Sequence, residues 1–99
     1  MSDRKYSILC VDDEAHILRA LQRTFFQLPF TVFIALSGEE ALGILKKEKI
    51  DLIITDYRMP EMNGIEFLKK AIAISPEIER LMLTGYSDLE VTIAAINEG

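Results

Sequence analysis

Residues 50–64 read IDLIITDYRMPEMNG, and this stretch indicates the fold more strongly than any other. Its apolar run at residues 52–54 is too short for a helix and rich in β-branched side chains, which predicts a strand buried on both faces. Asp56 follows the run, and Pro60 and Gly64 then indicate a loop and a turn. A carboxylate therefore lies where a buried parallel strand ends, at the sheet edge where α/β proteins bind ligands. Many strands end in aspartate for turn or capping reasons, so Asp56 alone does not indicate a functional site. Residues elsewhere in the chain must be considered with it.

Three more apolar runs predict strands, and amphipathic segments separate them. The runs are residues 6–11, 31–35 and 80–84. Apolar residues at helical spacing predict helices at residues 15–26, from Ser37 to about Lys47, after Asn63 and after Ser87. A Ser-x-x-Glu or Asn-x-x-Glu capping pattern precedes each of the last three helices. This strict alternation predicts an α/β fold, a doubly wound parallel sheet with helices on both faces.

Composition restricts the classes of protein to which the chain can belong. Ninety-nine residues form one small domain, and a net charge of −5 without a basic stripe argues against direct nucleic-acid contact. No apolar run approaches the length of a membrane span, and no signal segment precedes the first strand. The single cysteine, Cys10, lies in an apolar run and is expected in the core. We therefore expect a soluble protein of the reducing cytoplasm.

Oxygen-bearing side chains follow three of the predicted strands. Asp12 and Asp13 come after the first strand, Asp56 after the third, and Thr84 ends the fourth. In a parallel sheet these positions share one edge, where three carboxylates raise one another's pKa unless a cation neutralises them. A cluster of oxygens without His or Cys suits Mg²⁺. Asp12 and Asp13 could instead cap the first helix, although one acid is enough for a cap.

These residues resemble the receiver domain of two-component response regulators. The resemblance rests on Val11-Asp12-Asp13-Glu14, on Asp56 with Met59-Pro60-x-x-x-Gly64, and on Leu83-Thr84-Gly85, which occur in the family's order along the whole chain. It implies a flavodoxin-like (CheY-like) fold with three layers, α/β/α. It also implies a signalling phosphoacceptor that assists only its own phosphorylation and dephosphorylation, rather than an enzyme.

The resemblance assigns a role to each site residue. Asp56 would receive a phosphoryl group from a sensor histidine kinase or a phosphotransfer protein, and the domain would then control an output domain. Mg²⁺ would be held by Asp13, Asp56 and the backbone carbonyl of Arg58, with Asp12 helping through water. Thr84 would be the switch hydroxyl that turns toward the acyl phosphate.

The resemblance also exposes one departure. Similar receivers have a fifth strand with a phosphoryl-contacting lysine and a fifth helix, whereas this sequence reaches Gly99 before either. We therefore expect residues 1–99 to form a receiver domain that lacks these elements and self-associates through the unpaired edge of the fourth strand. Residues 84–99 further resemble receivers fused to HD-GYP-type phosphodiesterases.

Other classes of protein fit the sequence less well. A dehalogenase-like phosphohydrolase would carry a second acid two residues after the nucleophile, where Arg58 stands. A flavin or dinucleotide binder would need a glycine-rich turn after the first strand, where Asp12, Asp13 and Glu14 lie. A receiver-like interaction module or scaffold fragment that is not phosphorylated remains open as the alternative.

Overall fold

The computed structural model describes residues 5–83, which form four strands and three helices in strict alternation. The strands are β1 (Tyr6–Val11), β2 (Phe30–Ala35), β3 (Leu52–Asp56) and β4 (Glu79–Leu83), and the helices are α1 (Ala15–Phe25), α2 (Gly38–Lys47) and α3 (Gly64–Ile74). These bounds confirm the predicted elements to within one or two residues. Thr84 and the helix predicted after Ser87 lie outside the described residues. None of the helices within residues 5–83 is long and apolar enough to cross a membrane.

The four strands form one parallel sheet in the order β2-β1-β3-β4. The chain adds β2 on one side of β1 and then crosses to add β3 on the other side. This is the flavodoxin-like strand order, and the place where the direction of winding reverses lies between β1 and β3. The predicted doubly wound parallel sheet is therefore confirmed, and its expected ligand edge is the carboxyl end of these two central strands.

Successive residues of the central strands point to opposite helical layers, as the pleat requires. Leu9, Val11 and Ile53 pack in the layer that holds α2 and α3, whereas Cys10 and Ile54 pack in the layer that holds α1. Cys10 is completely buried, and its burial raises the pKa of the thiol to about 11. Such a thiol stays protonated and unreactive near neutral pH, which confirms Cys10 as a core residue.

Side-chain caps fix the starts of two helices at the carboxyl edge of the sheet. The Asn63 side chain accepts from the Glu66 backbone N–H at 2.9 Å, and Glu66 Oε1 accepts from the Asn63 N–H at 3.0 Å, which completes a capping box. At α2, Ser37 Oγ accepts from the Glu40 N–H at 3.1 Å, but the Glu40 carboxylate accepts from Leu36 at 2.8 Å. Only half of the capping box predicted at Ser37 therefore forms.

Strand β4 lies at the end of the sheet formed by residues 5–83. Met82 is buried against the α2–α3 layer, whereas Leu81 and Leu83 are 41% and 37% exposed. Leu81 pairs with Ile54, so these two leucines lie on the face that α1 covers elsewhere. The strand thus presents both a free edge and apolar side chains, within the part of the chain that is described.

The glycines of α2 differ in what surrounds them. An ideal Cβ on Gly43 meets no atom within 4 Å, so close helix packing does not explain this glycine. Gly38, by contrast, would place a Cβ 2.8 Å from Met62 Sδ and 3.4 Å from Phe67 Cβ.

We predict different effects of adding a methyl group at these two positions. Gly43→Ala should raise the free energy of unfolding by about 0.5–1 kcal/mol, because alanine loses less backbone entropy in a helix. Gly38→Ala should raise it less, because the flexible Met62 side chain must move away from the added methyl group. Urea denaturation of both variants measures the difference, and a destabilised Gly43→Ala variant would contradict the description of α2.

Candidate functional site

The carboxyl ends of β1 and β3 bring three aspartates together. Val11 pairs with Thr55 in the parallel register, so the next residues, Asp12 and Asp56, come side by side. Asp13 completes the group, and one carboxylate oxygen from each of the three lies within 4.8 Å of the others. The predicted convergence of these aspartates is confirmed.

Asp12 also has a structural task in the β1–α1 loop. Its Oδ1 accepts from the Glu14 backbone N–H at 2.8 Å, and its own N–H donates to Ala35 O at 3.1 Å. Asp12 is only 5% exposed, whereas Asp13 is exposed. This bond shapes the loop before α1 but does not cap the helix, because Glu14 is itself the N-cap residue and no side chain within residues 5–83 caps the start of α1. The interpretation of Asp12 and Asp13 as helix caps is therefore wrong.

The cluster makes the charged forms of its carboxylates costly. The pKa of Asp12 is raised to about 6, and burial is the largest cause. The hydrogen bond from the Glu14 N–H lowers this pKa, whereas the charges of Asp56, Asp13 and Glu14 raise it further. Burial also raises the pKa of Asp56, against a backbone hydrogen bond from Tyr57 and together with the charges of Asp13 and Glu14. Both shifts disfavour the ionised carboxylates, so a nearby cation would relieve them.

The chemistry of the donor set fits a hard divalent cation. The cluster offers only carboxylate oxygens, which Mg²⁺ prefers over nitrogen or sulfur. His16, the single histidine of the sequence, lies apart from it, with Nε2 at 3.3 Å from Glu14 Oε1 and both side chains exposed. Arg58 lies two residues after Asp56 in the loop that follows β3, and its side chain is exposed.

The backbone of Asp56 is held by its neighbours in two ways. Thr55 is fully buried, and its Oγ1 donates to Asp56 O at 3.0 Å. The Gly64 N–H donates to Tyr57 O at 2.8 Å, and a Cβ at Gly64 would lie 2.6 Å from Asp56 O. The start of α3 can therefore approach the end of β3 only because residue 64 is glycine. The role of Thr55 was not predicted from the sequence, and Gly64 was predicted only as a turn residue.

The loop at residues 57–63 has a fixed and strained shape. The Met62 N–H donates to Pro60 O at 2.6 Å across Glu61, whose φ is 70°, as in a γ-turn. Met62 packs against the core of the α2–α3 layer, where Gly38 leaves room for its sulfur. These contacts hold the segment that joins Asp56 to α3.

Comparison with known proteins assigns the chain to a family. The model of the response regulator receiver domain matches residues 8–99. The chain therefore belongs to the receiver domains of response regulators, and it serves as a phosphoacceptor in two-component signalling. Receiver domains are signalling phosphoacceptors rather than classical enzymes, and they generally bind Mg²⁺ at an acidic pocket like the one described here.

Individual relatives agree with this family in sequence and in fold. The hydrogenase transcriptional regulatory protein HoxA of Cupriavidus necator is 41% identical over 99% of this chain, which spans 20% of HoxA. A CheY-like receiver domain protein from Methanospirillum hungatei has a TM-score of 0.87 at 32% identity, covering 97% of this chain and 77% of that one. The signal receiver domain of an HD domain-containing protein from Pseudomonas fluorescens has a TM-score of 0.88 at 36% identity, with the same coverage. The chain thus spans about a fifth of the length of HoxA.

We predict that the free energy of unfolding, measured without divalent cations, increases as the pH is lowered from about 7.5 to about 5. The folded-state pKa of Asp12, about 6, exceeds its ordinary value of 3.8, so the folded protein binds this proton more tightly than the unfolded chain does. The stabilisation is therefore present at low pH and lost as the pH rises through 6. Urea denaturation at the two pH values measures it.

Asp12→Asn keeps an oxygen that can accept from Glu14 and removes the charge. This variant should be more stable than the wild type at pH 7.5 and less dependent on pH, while Glu77→Gln, which changes an exposed acid remote from the cluster, should behave like the wild type. A wild-type stability that falls toward pH 5 would contradict the electrostatics of the cluster.

Proposed function

We propose that Asp56 is the residue of this receiver domain that accepts the phosphoryl group, with Mg²⁺ held beside it by Asp13 and Asp56. Asp12 supports the metal through water, and the backbone carbonyl of Arg58 supplies a further oxygen. The observation that carries this proposal is the meeting of three carboxylates within 4.8 Å at the ends of β1 and β3.

The surroundings of the three aspartates favour Asp56 as the nucleophile. One oxygen of Asp12 is used by the Glu14 N–H, and Asp13 is exposed in a loop. Asp56 is partly buried at the end of a central strand, and the Thr55 hydroxyl bonds to its backbone oxygen. A nucleophile held in one position and still reachable from solvent is what an in-line transfer requires.

Phosphoryl transfer at this site needs position and neutralisation of charge. An Asp56 carboxylate oxygen attacks phosphorus, the new P–O bond gives an acyl phosphate, and the P–N bond of the donor phosphohistidine breaks with its electron pair left on the imidazole. The bound cation would supply positive charge next to the transferred group. Backbone N–H groups after Asp56, including that of Tyr57, already donate toward its carboxylate.

The phosphoryl donor and the output domain follow from the resemblance to other receivers. We take the donor to be a sensor histidine kinase or a phosphotransfer protein, acting in the cytoplasm, and Thr84 to be the switch hydroxyl that responds to the acyl phosphate. HoxA is a transcriptional regulator, and the Pseudomonas relative contains an HD domain. An output of the HD-GYP type, suggested by residues 84–99, stays a prediction, and the Pseudomonas relative supports only an HD domain. The alternative, an interaction module without phosphorylation, is disfavoured because all three acids are present and assembled.

We predict that a small phosphodonor such as acetyl phosphate, with Mg²⁺, adds about 80 Da to the wild-type chain and nothing to Asp56→Asn, which lacks the nucleophile. Intact mass spectrometry reads the adduct directly. Asp13→Ala should raise the Mg²⁺ concentration needed for half-maximal modification, because one ligand of the cation is lost. Glu77→Gln removes one exposed negative charge elsewhere and serves as the matched control.

Two outcomes would contradict these assignments. An adduct that persists in Asp56→Asn would move the acceptor to another residue. A Mg²⁺ requirement that is the same in Asp13→Ala and in Glu77→Gln would remove Asp13 from the metal site.

We also propose that the 99-residue chain self-associates through β4. The support for this proposal is the edge of β4 that no other strand of residues 5–83 pairs with, together with exposed Leu81 and Leu83. Light scattering of the purified chain should give a mass above that of the 11.2 kDa monomer, and Leu81→Lys with Leu83→Lys should shift it toward the monomer. A wild-type chain that stays monomeric and unfolds cooperatively would disprove this proposal.

A further inference from the structure

The far end of α1 carries the most exposed large apolar side chain among residues 5–83. Phe26, which directly follows α1, is 83% exposed, and Leu28 in the next turn is 47% exposed. A single exposed apolar residue is ordinary on a protein surface. Phe26 differs because of the side chains around it and because of how firmly its backbone is held.

Phe26 belongs to one stripe of the helix surface, which we name the α1 stripe. The stripe consists of Arg19, Gln22, Arg23 and Phe26, which line a shallow concavity of about 360 Å³. Their spacing of three, four and seven residues places them along one side of the helix. The core side of α1 is separate from the stripe and includes the buried Leu18.

The α1 stripe is cationic in a chain that is acidic overall. The net charge is −5, yet residues 15–25 contain two arginines and no acid. Within residues 5–83, no carboxylate forms an ion pair with Arg19 or Arg23, and both side chains are exposed. Two guanidinium groups beside an aromatic ring provide charge and apolar area at the same place, and Arg and aromatic residues are enriched in protein interfaces.

Hydrogen bonds and a ring contact position the backbone under the stripe. The Phe26 N–H donates to Arg23 O at 3.3 Å, and the Leu28 N–H donates to Phe25 O at 3.1 Å. The rings of Phe25 and Phe30 meet edge to face, with centroids 5.7 Å apart, beneath this turn. Phe26 is therefore presented from a fixed position, and a preorganised anchor loses less entropy when it binds.

The stripe lies away from the aspartate cluster. Helix α1 starts three residues after Asp12 and runs for 11 residues, which is about 16 Å of helix at 1.5 Å per residue. Its end lies toward the amino edge of the sheet, near the start of β2, whereas the aspartates lie at the carboxyl edge. A partner on the stripe would leave the approach to Asp56 open.

We propose that the α1 stripe is a docking surface for a protein segment that presents an apolar side chain flanked by carboxylates. The apolar side chain packs on Phe26, and the carboxylates pair with Arg19 and Arg23. A second copy of this chain fits poorly, because two cationic stripes repel each other in a symmetric dimer. Two cations on an acidic domain are also too few for a nucleic-acid surface.

The test uses the full 99-residue chain and two synthetic peptides. The first peptide is an amphipathic helix with leucines on one face and glutamates beside them, and the second carries lysine in place of each glutamate. Binding is followed by amide chemical shifts at low salt and at physiological salt. The glutamate peptide should shift residues of the stripe, should bind more weakly as salt rises, and should bind more tightly than the lysine peptide.

Matched variants separate a specific surface from general attraction. Phe26→Ser should raise the Kd of the glutamate peptide about tenfold, as loss of an interface anchor does. Leu36→Ser, which changes an exposed apolar residue outside the stripe, should leave the Kd unchanged. Arg19→Gln with Arg23→Gln should abolish the salt dependence, whereas Lys69→Gln with Lys70→Gln, an equal change of charge on α3, should not. Asp56→Asn should bind like the wild type, which keeps this test independent of the phosphoacceptor assignment.

Three outcomes would overturn the proposal. The first is absence of binding by the glutamate peptide to the wild-type chain. The second is an equal loss of binding in Phe26→Ser and in Leu36→Ser. The third is that the glutamate peptide does not bind, while the wild-type chain binds vesicles of phosphatidylglycerol and Phe26→Ser does not. That result would assign the stripe to a membrane surface.

Discussion

The parallel pairing of β1 with β3 is the constraint on which the site depends. Their register places Val11 beside Thr55, and the next residues, Asp12 and Asp56, are therefore neighbours. Burial and the charges of neighbouring acids raise the pKa of both carboxylates, so the folded domain carries an electrostatic cost at its carboxyl edge. The apolar layers on both faces of the sheet offset this cost. A cation or a proton at the cluster would relieve this cost.

The backbone around Asp56 shows a second constraint, close approach. Gly64 lets α3 start against the end of β3, and Gly38 leaves space for Met62 at the start of α2. The γ-turn at Glu61 lies between these two contacts. Gly38, Gly64 and the strained turn at Glu61 thus shape the loop after Asp56. A Cβ at Gly43 would meet no neighbour, so this glycine only lowers the stability of the helix. Gly64 allows two backbones to approach, and Gly38 leaves room for a side chain.

Much of the fold and of the aspartate cluster could be predicted from the sequence, and the features that were not predicted have physical causes. Alternation of apolar runs and helical segments predicted every element within residues 5–83, and the acids after the strands predicted the aspartate cluster. Thr55 was missed because a buried threonine in an apolar run looks like any β-branched strand residue, and its hydroxyl bond is visible only in three dimensions. The capping box predicted that the Glu40 carboxylate accepts from the Ser37 N–H, but it accepts from the Leu36 N–H. The sequence could not separate the two, because both N–H groups lie about one helical turn before Glu40. The exposure of Phe26 gave no signal, since an apolar residue at the end of a helix usually turns inward.

The sequence by itself determined the order of the elements, the parallel character of the sheet, the edge at which the aspartates lie and the likeness to receiver domains. These properties follow from periodicity and from short-range spacing, which a single chain records directly. Only the tertiary structure decided that Val11 pairs with Thr55, that Asp12 rather than Asp13 bonds to the N–H of Glu14, and that Phe26 faces solvent. Each of these depends on contacts between residues far apart in the chain or on the direction of one side chain, and an apolar pattern specifies neither.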